Sequence, residues 1–283
     1  MRVLGSVSLA ILLFGCSGTS VKEVPSRTEN REFPGRKVCI VYLESESDSI
    51  VEINPTICRT KTPPLHAFHP AVALAALESG SLKDPNALYK WDRTKYPYIR
   101  WQKDLNLQSA TESSAIWYFQ KLIRETSMAK TKSWLQNAGL PANVTDENRA
   151  FWLEESYSLN GEDFFGFLRN LVLQRLPARD KNRAAVLSTL ERSPGKVSNP
   201  TGTHTLEGNW GEADRFYSDS GTAYIGGRSL SLFWFFWKSG TKSRLFFSRA
   251  ESETEILNPL EAARIGTEFL QKEHLWERFF FSR

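Results

Sequence analysis

The chain has no long hydrophobic run. Its apolar N-terminal stretch, residues 7–14, is too short to cross a membrane, because a spanning helix needs about 20 apolar residues. It has no concentrated basic block either. A formal charge of +4 spread over 283 residues leaves no footprint for nucleic acid. No internal repeat is visible. Histidine is scarce, with four in all, and no third ligand stands at metal-like spacing from any pair of them. No cofactor is implied. Cysteine is scarcer still, with Cys16, Cys39 and Cys58 alone. What remains is an ordinary globular composition, 41% hydrophobic and 24% charged, in a length that suits one large domain or two small ones.

The rest is organised around residues 64–80. From Ala71 to Leu77 this stretch is apolar nearly all round, the pattern of a buried helix rather than an amphipathic one. Pro70 is compatible with a first helical turn, and Gly80 is a stop signal. His66 and His69 are three residues apart at the N-terminal end, so they share a face. Polar groups at the positive end of a buried helix are a common foundation for a site.

This stretch resembles the core of class D β-lactamases, the oxacillinases, which belong with the penicillin-binding transpeptidases. That family opens the helix with Pro-Ala-Ser-x-x-Lys and runs on to Leu-Glu-x-Gly. Pro64 and Leu77-Glu78-Ser79-Gly80 match, while the nucleophilic serine falls on His66 and the lysine base on His69. Further matches are Trp91-Asp92 followed by Trp101-Gln102-Lys103-Asp104-Leu105, then Ser114-Ala115-Ile116 with Phe119-Gln120, and Phe151-Trp152-Leu153-Glu154. The family's Tyr-Gly-Asn has no counterpart near Leu140-Pro141-Ala142-Asn143.

The resemblance implies a site in which Ser114 is the second motif's serine and Trp152 the tryptophan that braces a carbamylated lysine. It places Lys-Thr-Gly on Asn209-Trp210-Gly211, where only the glycine is kept, and the arginine that binds the substrate's carboxylate on Glu261, which follows Pro259-Leu260. A glutamate there repels an anion. Simple readings stand beside these: a helix-region hydroxyl for Ser114, core packing for Trp152, and pocket-lining imidazoles for the histidines.

Residues 37–43 and 50–53 form a hairpin signal, and the aromatic runs 230–237 and 243–247, separated by Ser239-Gly240-Thr241, read as adjacent antiparallel strands. Helical patterns cover 106–127, 132–139, 164–176 and 181–190, and a final helix runs over 258–276. The expected class is α/β of the α+β type, an antiparallel sheet flanked by helices, with the hairpin and the C-terminal strands sharing the sheet. The family's fold is this arrangement, and it assigns one domain to 37–283.

Before the domain, residues 16–36 are rich in Ser, Thr, Glu, Arg and Pro and read as a flexible tether. Arg2, the apolar stretch and Leu13-Phe14-Gly15-Cys16 resemble the signal peptide and lipobox of bacterial lipoproteins, with Phe14 departing from the usual small residue. This implies a signal peptide over 1–15 and a lipid anchor on Cys16; a plain signal peptide is the alternative. Export implies an oxidising compartment, in which Cys39 and Cys58 are either a disulfide or two buried thiols.

Active-serine penicillin-recognising enzymes require Ser-x-x-Lys, a second serine motif and Lys-Thr-Gly, and a hydroxyl nucleophile requires a base beside it. The expected function is therefore a membrane-anchored cell-envelope protein that keeps the fold as a binding or scaffold module, with peptidoglycan or an envelope protein as partner. The rival is a β-lactam or peptide hydrolase with a site rebuilt from His66, His69 and Ser114.

Overall fold

The computed structural model describes residues 26–44, 49–145 and 149–281. The signal peptide, Cys16 and the first part of the tether lie outside the described residues. In chain order the strands are β1 (Ser26–Glu29), β2 (Lys37–Glu44), β3 (Ser49–Ile53), β4 (Lys196–Asn199), β5 (Gly202–Thr205), β6 (Arg215–Ile225), β7 (Arg228–Ser239) and β8 (Lys242–Ser252). The α-helices are α1 (Pro55–Cys58), α2 (His69–Ser79), α3 (Leu107–Glu112), α4 (Ile116–Thr126), α5 (Met128–Asn137), α6 (Gly161–Val172), α7 (Asp180–Ser188) and α8 (Glu261–Lys272).

Six strands form the main sheet in the order β1-β3-β2-β8-β7-β6. All neighbours are antiparallel except β1 and β3, so the hairpin and the C-terminal strands do share one sheet. β7 is an interior strand, between β8 and the edge strand β6, and is packed on both faces. Leu230, Leu232, Trp234 and Phe236 enter a core with the helices α2 to α7, whereas Phe233, Phe235 and Trp237 enter a second core with α8 and the C-terminal Trp276 and Phe280. Burial on both faces explains why this strand reads as an unbroken aromatic run rather than as alternation.

Helix α2 is buried from His69 to Leu77 among α4, α5 and α7, in the same core as Trp234 and Phe247. Gly80 ends it at φ 77°, a left-handed value that glycine adopts without strain. Pro70 sits in the first turn as expected, preceded by a 3-10 turn over Leu65–Phe68.

Cys39 in β2 and Cys58 in α1 form a disulfide, with Cα atoms 4.9 Å apart. The two alternatives for these cysteines thus resolve to a bridge. A Cβ on Gly161, at the start of α6, would lie 2.8 Å from Cys39 Sγ, so the bridge and α6 are in close contact.

The sequence reading missed the short helix α1 and the β4–β5 hairpin, and two strands of the main sheet. Residues 26–29, assigned to the tether, instead form β1, parallel to β3, and the backbone N–H of Asn54 donates to the Glu29 carbonyl at 2.7 Å. Residues 215–225 form β6, an edge strand joined to β7 through Gly226 and Gly227 at φ 58° and 78°. Two consecutive positive-φ residues are what a tight two-residue hairpin requires.

Candidate functional site

The site is built where the start of α2, the α3–α4 turn and the edge strand β6 converge. His66 lies in the 3-10 turn, next to Leu65, whose φ is 53°. A left-handed non-glycine residue costs on the order of 1–3 kcal/mol and persists only where the surroundings enforce it. Ser114, in the α3–α4 turn, has the same kind of conformation at φ 48°. Its backbone N–H donates to the Thr111 carbonyl at 3.0 Å.

The two imidazoles meet edge to face with ring centroids 5.5 Å apart. His69 stacks flat on Phe119 at 3.7 Å, and Trp152 meets it edge-on at 5.6 Å. Trp152 thus packs against the residue at the position that the resemblance gives to the lysine. All four expected remnants are buried: His66, His69, Ser114 and Trp152. Among the described residues, His66 Nδ1, His69 Nε2, Ser114 Oγ and Trp152 Nε1 have no hydrogen-bond partner.

Burial sets the charge state. Loss of water lowers the His66 pKa to about 4, and it holds His69 well below the ordinary imidazole value, with the charge of His66 a lesser cause. Both are neutral at pH 7. No group of three or more metal-ligating side chains occurs among the described residues.

The strand facing His66 is not the one the sequence reading chose. Gly221 in β6 packs directly on the imidazole, and a Cβ there would lie 2.6 Å from His66 Nδ1. Alternation along β6 puts Asp219 on the same face as Gly221, together with Tyr217, which joins the helical core. By position, then, the triplet corresponding to Lys-Thr-Gly is Asp219-Ser220-Gly221, with an acid for the lysine, a hydroxyl kept and the glycine kept.

Asp219 is buried, and burial pushes its pKa up to about 7 against the opposing pull of Arg192 and the Ser220 N–H. The N–H of Ser220 donates to Asp219 Oδ1 at 3.0 Å. Arg192 also feels the carboxylate of Glu112, at the end of α3, across the site.

Asn209, Trp210 and Gly211 are corrected accordingly. Trp210 packs in the second core, 5.0 Å from Phe235 and 4.9 Å from Trp276, on the far face of the sheet from His66. Gly211 lies against Phe280 and Phe281, and Asn209 is exposed. Large aromatics around a glycine imitate a strand motif in sequence, but here they fill a core. The overlooked signal was the Gly226-Gly227 pair, which predicts a hairpin and so a strand on either side of it.

Glu261 is corrected as well. Its carboxylate is engaged by Arg264 at 2.9 Å and Arg36 at 3.4 Å. The hydrogen bond from Arg264 is the main reason its pKa lies below the usual carboxylate range. It neutralises its own neighbours and adds no free negative charge to the site.

With this geometry in place, similarity to known proteins can be set beside it. Residues 34–160 match the penicillin binding protein transpeptidase domain. The β-lactamase OXA-5 of Pseudomonas aeruginosa is 29% identical over 181 residues, which cover 63% of this chain and 68% of that protein. The regulatory protein BlaR1 of Bacillus licheniformis is 29% identical over 176 residues, 61% of this chain but only 28% of BlaR1. In structure, the C-terminal domain of the Bacillus licheniformis BlaR penicillin-receptor superposes with a TM-score of 0.74 at 21% identity, covering 89% of this chain and 98% of that domain. A sheet flanked by helices, a buried helix and a glycine strand facing its start agree with these matches: the chain has the fold of these proteins, and over the matched residues it is similar to the penicillin binding protein transpeptidase domain and to the class D β-lactamases.

Proposed function

We propose that this protein is a lipid-anchored cell-envelope module that keeps the penicillin-recognising fold for binding or scaffolding and has given up acylation. The observation that carries the reading is the placement of His66. The side chain at the nucleophile's position is an imidazole that itself fills the space before Gly221. A lasting acyl-enzyme needs an oxygen or sulfur nucleophile there and a base in reach of it, because an acyl-imidazole hydrolyses readily. His69 is stacked on Phe119 and kept neutral, and it has no hydroxyl neighbour at His66 to activate. Asp219 on the facing strand adds an acid where a lysine would attract a carboxylate.

A hydrolase built on Ser114 fits less well. Its Oγ is buried and bonded to no base, so nothing activates it. Peptidoglycan or an envelope protein is the proposed partner. The relatives named above are a β-lactamase and a penicillin-receptor domain, and turnover of a chromogenic cephalosporin separates these readings. Purified protein should show no hydrolysis above a heat-denatured control; turnover abolished by Ser114→Ala would overturn the proposal.

The anchor rests on Leu13-Phe14-Gly15-Cys16. Among the described residues no helix is long and apolar enough to cross a membrane, and acylation of Cys16 would supply attachment instead. Cys16→Ser should abolish metabolic labelling with a fatty acid and release the protein from membranes. Undiminished labelling would exclude Cys16.

A further inference from the structure

The edge of β6 is covered by the chain itself. Arg192 N–H donates to the Phe216 carbonyl at 2.8 Å, and Ser218 N–H donates to the Leu190 carbonyl at 3.2 Å, so the segment after α7 occupies the first half of the edge. Further on, the Ser220 N–H is turned to its neighbour's carboxylate, Asp219 Oδ1. The β4–β5 hairpin lies alongside, with Ser218 Oγ donating to the Lys196 carbonyl at 2.6 Å.

One contact then crosses from the helical side. Arg100, in the 3-10 turn Ile99–Trp101, donates from Nη1 to the Asn199 carbonyl at 2.9 Å. The Asn199 side chain in turn donates to Ser220 Oγ at 3.3 Å. The turn that carries Arg100 is fixed to the Ser114 region: Trp101 Nε1 donates to the Ser113 carbonyl, and Trp117 Nε1 donates to the Trp101 carbonyl. Residues 99 positions apart thus tie the end of β4, and through it β6, to the turn that is fixed to the Ser114 region, while His66 and Ser114 are buried with unpartnered polar atoms. Buried polar groups left unpaired are costly, so contacts that join β6 to the helical side help to keep them enclosed.

We propose that the Arg100–Asn199–Ser220 chain of hydrogen bonds is a clasp that keeps the seam between β6 and the helical side closed over His66, and that its release gives solvent and solutes access to His66. Arg100 acts here as a positioning residue and touches no reacting group. The clasp controls entry whether or not the site retains chemistry, so this inference and the absence of acylation can fail separately.

Access is read by acylation of histidines with diethyl pyrocarbonate, mapped by mass spectrometry, with exposed His274 as internal control. In the wild-type protein His66 should react at least about tenfold more slowly than His274. Arg100→Ala should raise the His66 rate several-fold without lowering the melting temperature to match, and Arg100→Lys, which keeps a donor, should restore part of the protection. An unchanged His66 rate in folded Arg100→Ala overturns the clasp. If that variant does not fold, hydrogen exchange of the wild-type protein decides. The amide of Ser220, on the outer edge of β6, should exchange through an opening well below global unfolding, and its exchange only on global unfolding overturns the proposal.

Discussion

His66 and Gly221 are complementary: the imidazole occupies the volume that a methyl group on Gly221 would need, with Nδ1 2.6 Å from the Cβ position. Gly221→Ala should therefore destabilise the fold by about 1–3 kcal/mol, the usual cost of overpacking a tight site. In a His66→Ala background the ring is gone, and the same substitution should cost much less. A double-mutant cycle by denaturant unfolding measures this, with a coupling of about 1 kcal/mol or more expected. Additive effects would separate the two residues.

Acid should weaken the protein through its buried histidines. His66 and His69 have pKa values depressed below the unfolded value, His66 to about 4. As pH falls from 6.5 toward 4, the unfolded chain takes up protons that the folded chain refuses, and stability is lost. Asp219 acts in the opposite sense. Its folded pKa is raised to about 7, so its contribution is fully present below about pH 4 and is lost as pH rises through 7. Two histidines against one aspartate leave a net loss on acidification, with a slope of about 1.4 kcal/mol per pH unit for one proton of difference. Asp219→Asn should steepen that slope between pH 6.5 and 4, and His66→Gln should flatten it. Urea unfolding at several pH values tests the signs.

The Cys39–Cys58 bridge closes a loop of 19 residues in sequence separation, and its removal by a paired Cys39→Ala, Cys58→Ala substitution should cost about 2–4 kcal/mol. Gly161→Ala should also destabilise the oxidised protein, because its methyl would press on Cys39 Sγ. The paired cysteine variant should tolerate it better. Equal cost in both backgrounds would remove the bridge as the cause.

The fold was legible where burial shapes composition. Helix α2 declares itself because a segment buried all round has no polar face to interrupt it, and the β2–β3 and β7–β8 hairpins follow from β-formers around polar turns. Strand β6 was not legible in the same way. Its residues Ser218, Asp219 and Ser220 are polar yet buried, held by local hydrogen bonds that a hydropathy pattern does not register. Trp210 drew attention away from it, since a tryptophan beside a glycine looks the same in sequence in either core. The parallel strand β1 depends on a long-range pairing with β3, which no local propensity encodes. The pair His66 and His69 was placed correctly by their three-residue spacing, whereas the engagement of Glu261 by Arg36 joins residues 225 positions apart and could be seen only in the folded chain.

Penicillins should not acylate this protein, and intact-mass measurement after incubation with a penicillin decides the point. The wild-type mass should be unchanged. Restoring His66→Ser with His69→Lys should recover little adduct, because Asp219 still faces the site in place of a lysine. A stoichiometric mass increase on the wild-type protein, lost in His66→Ala or Ser114→Ala, would contradict the account and establish a rebuilt active site.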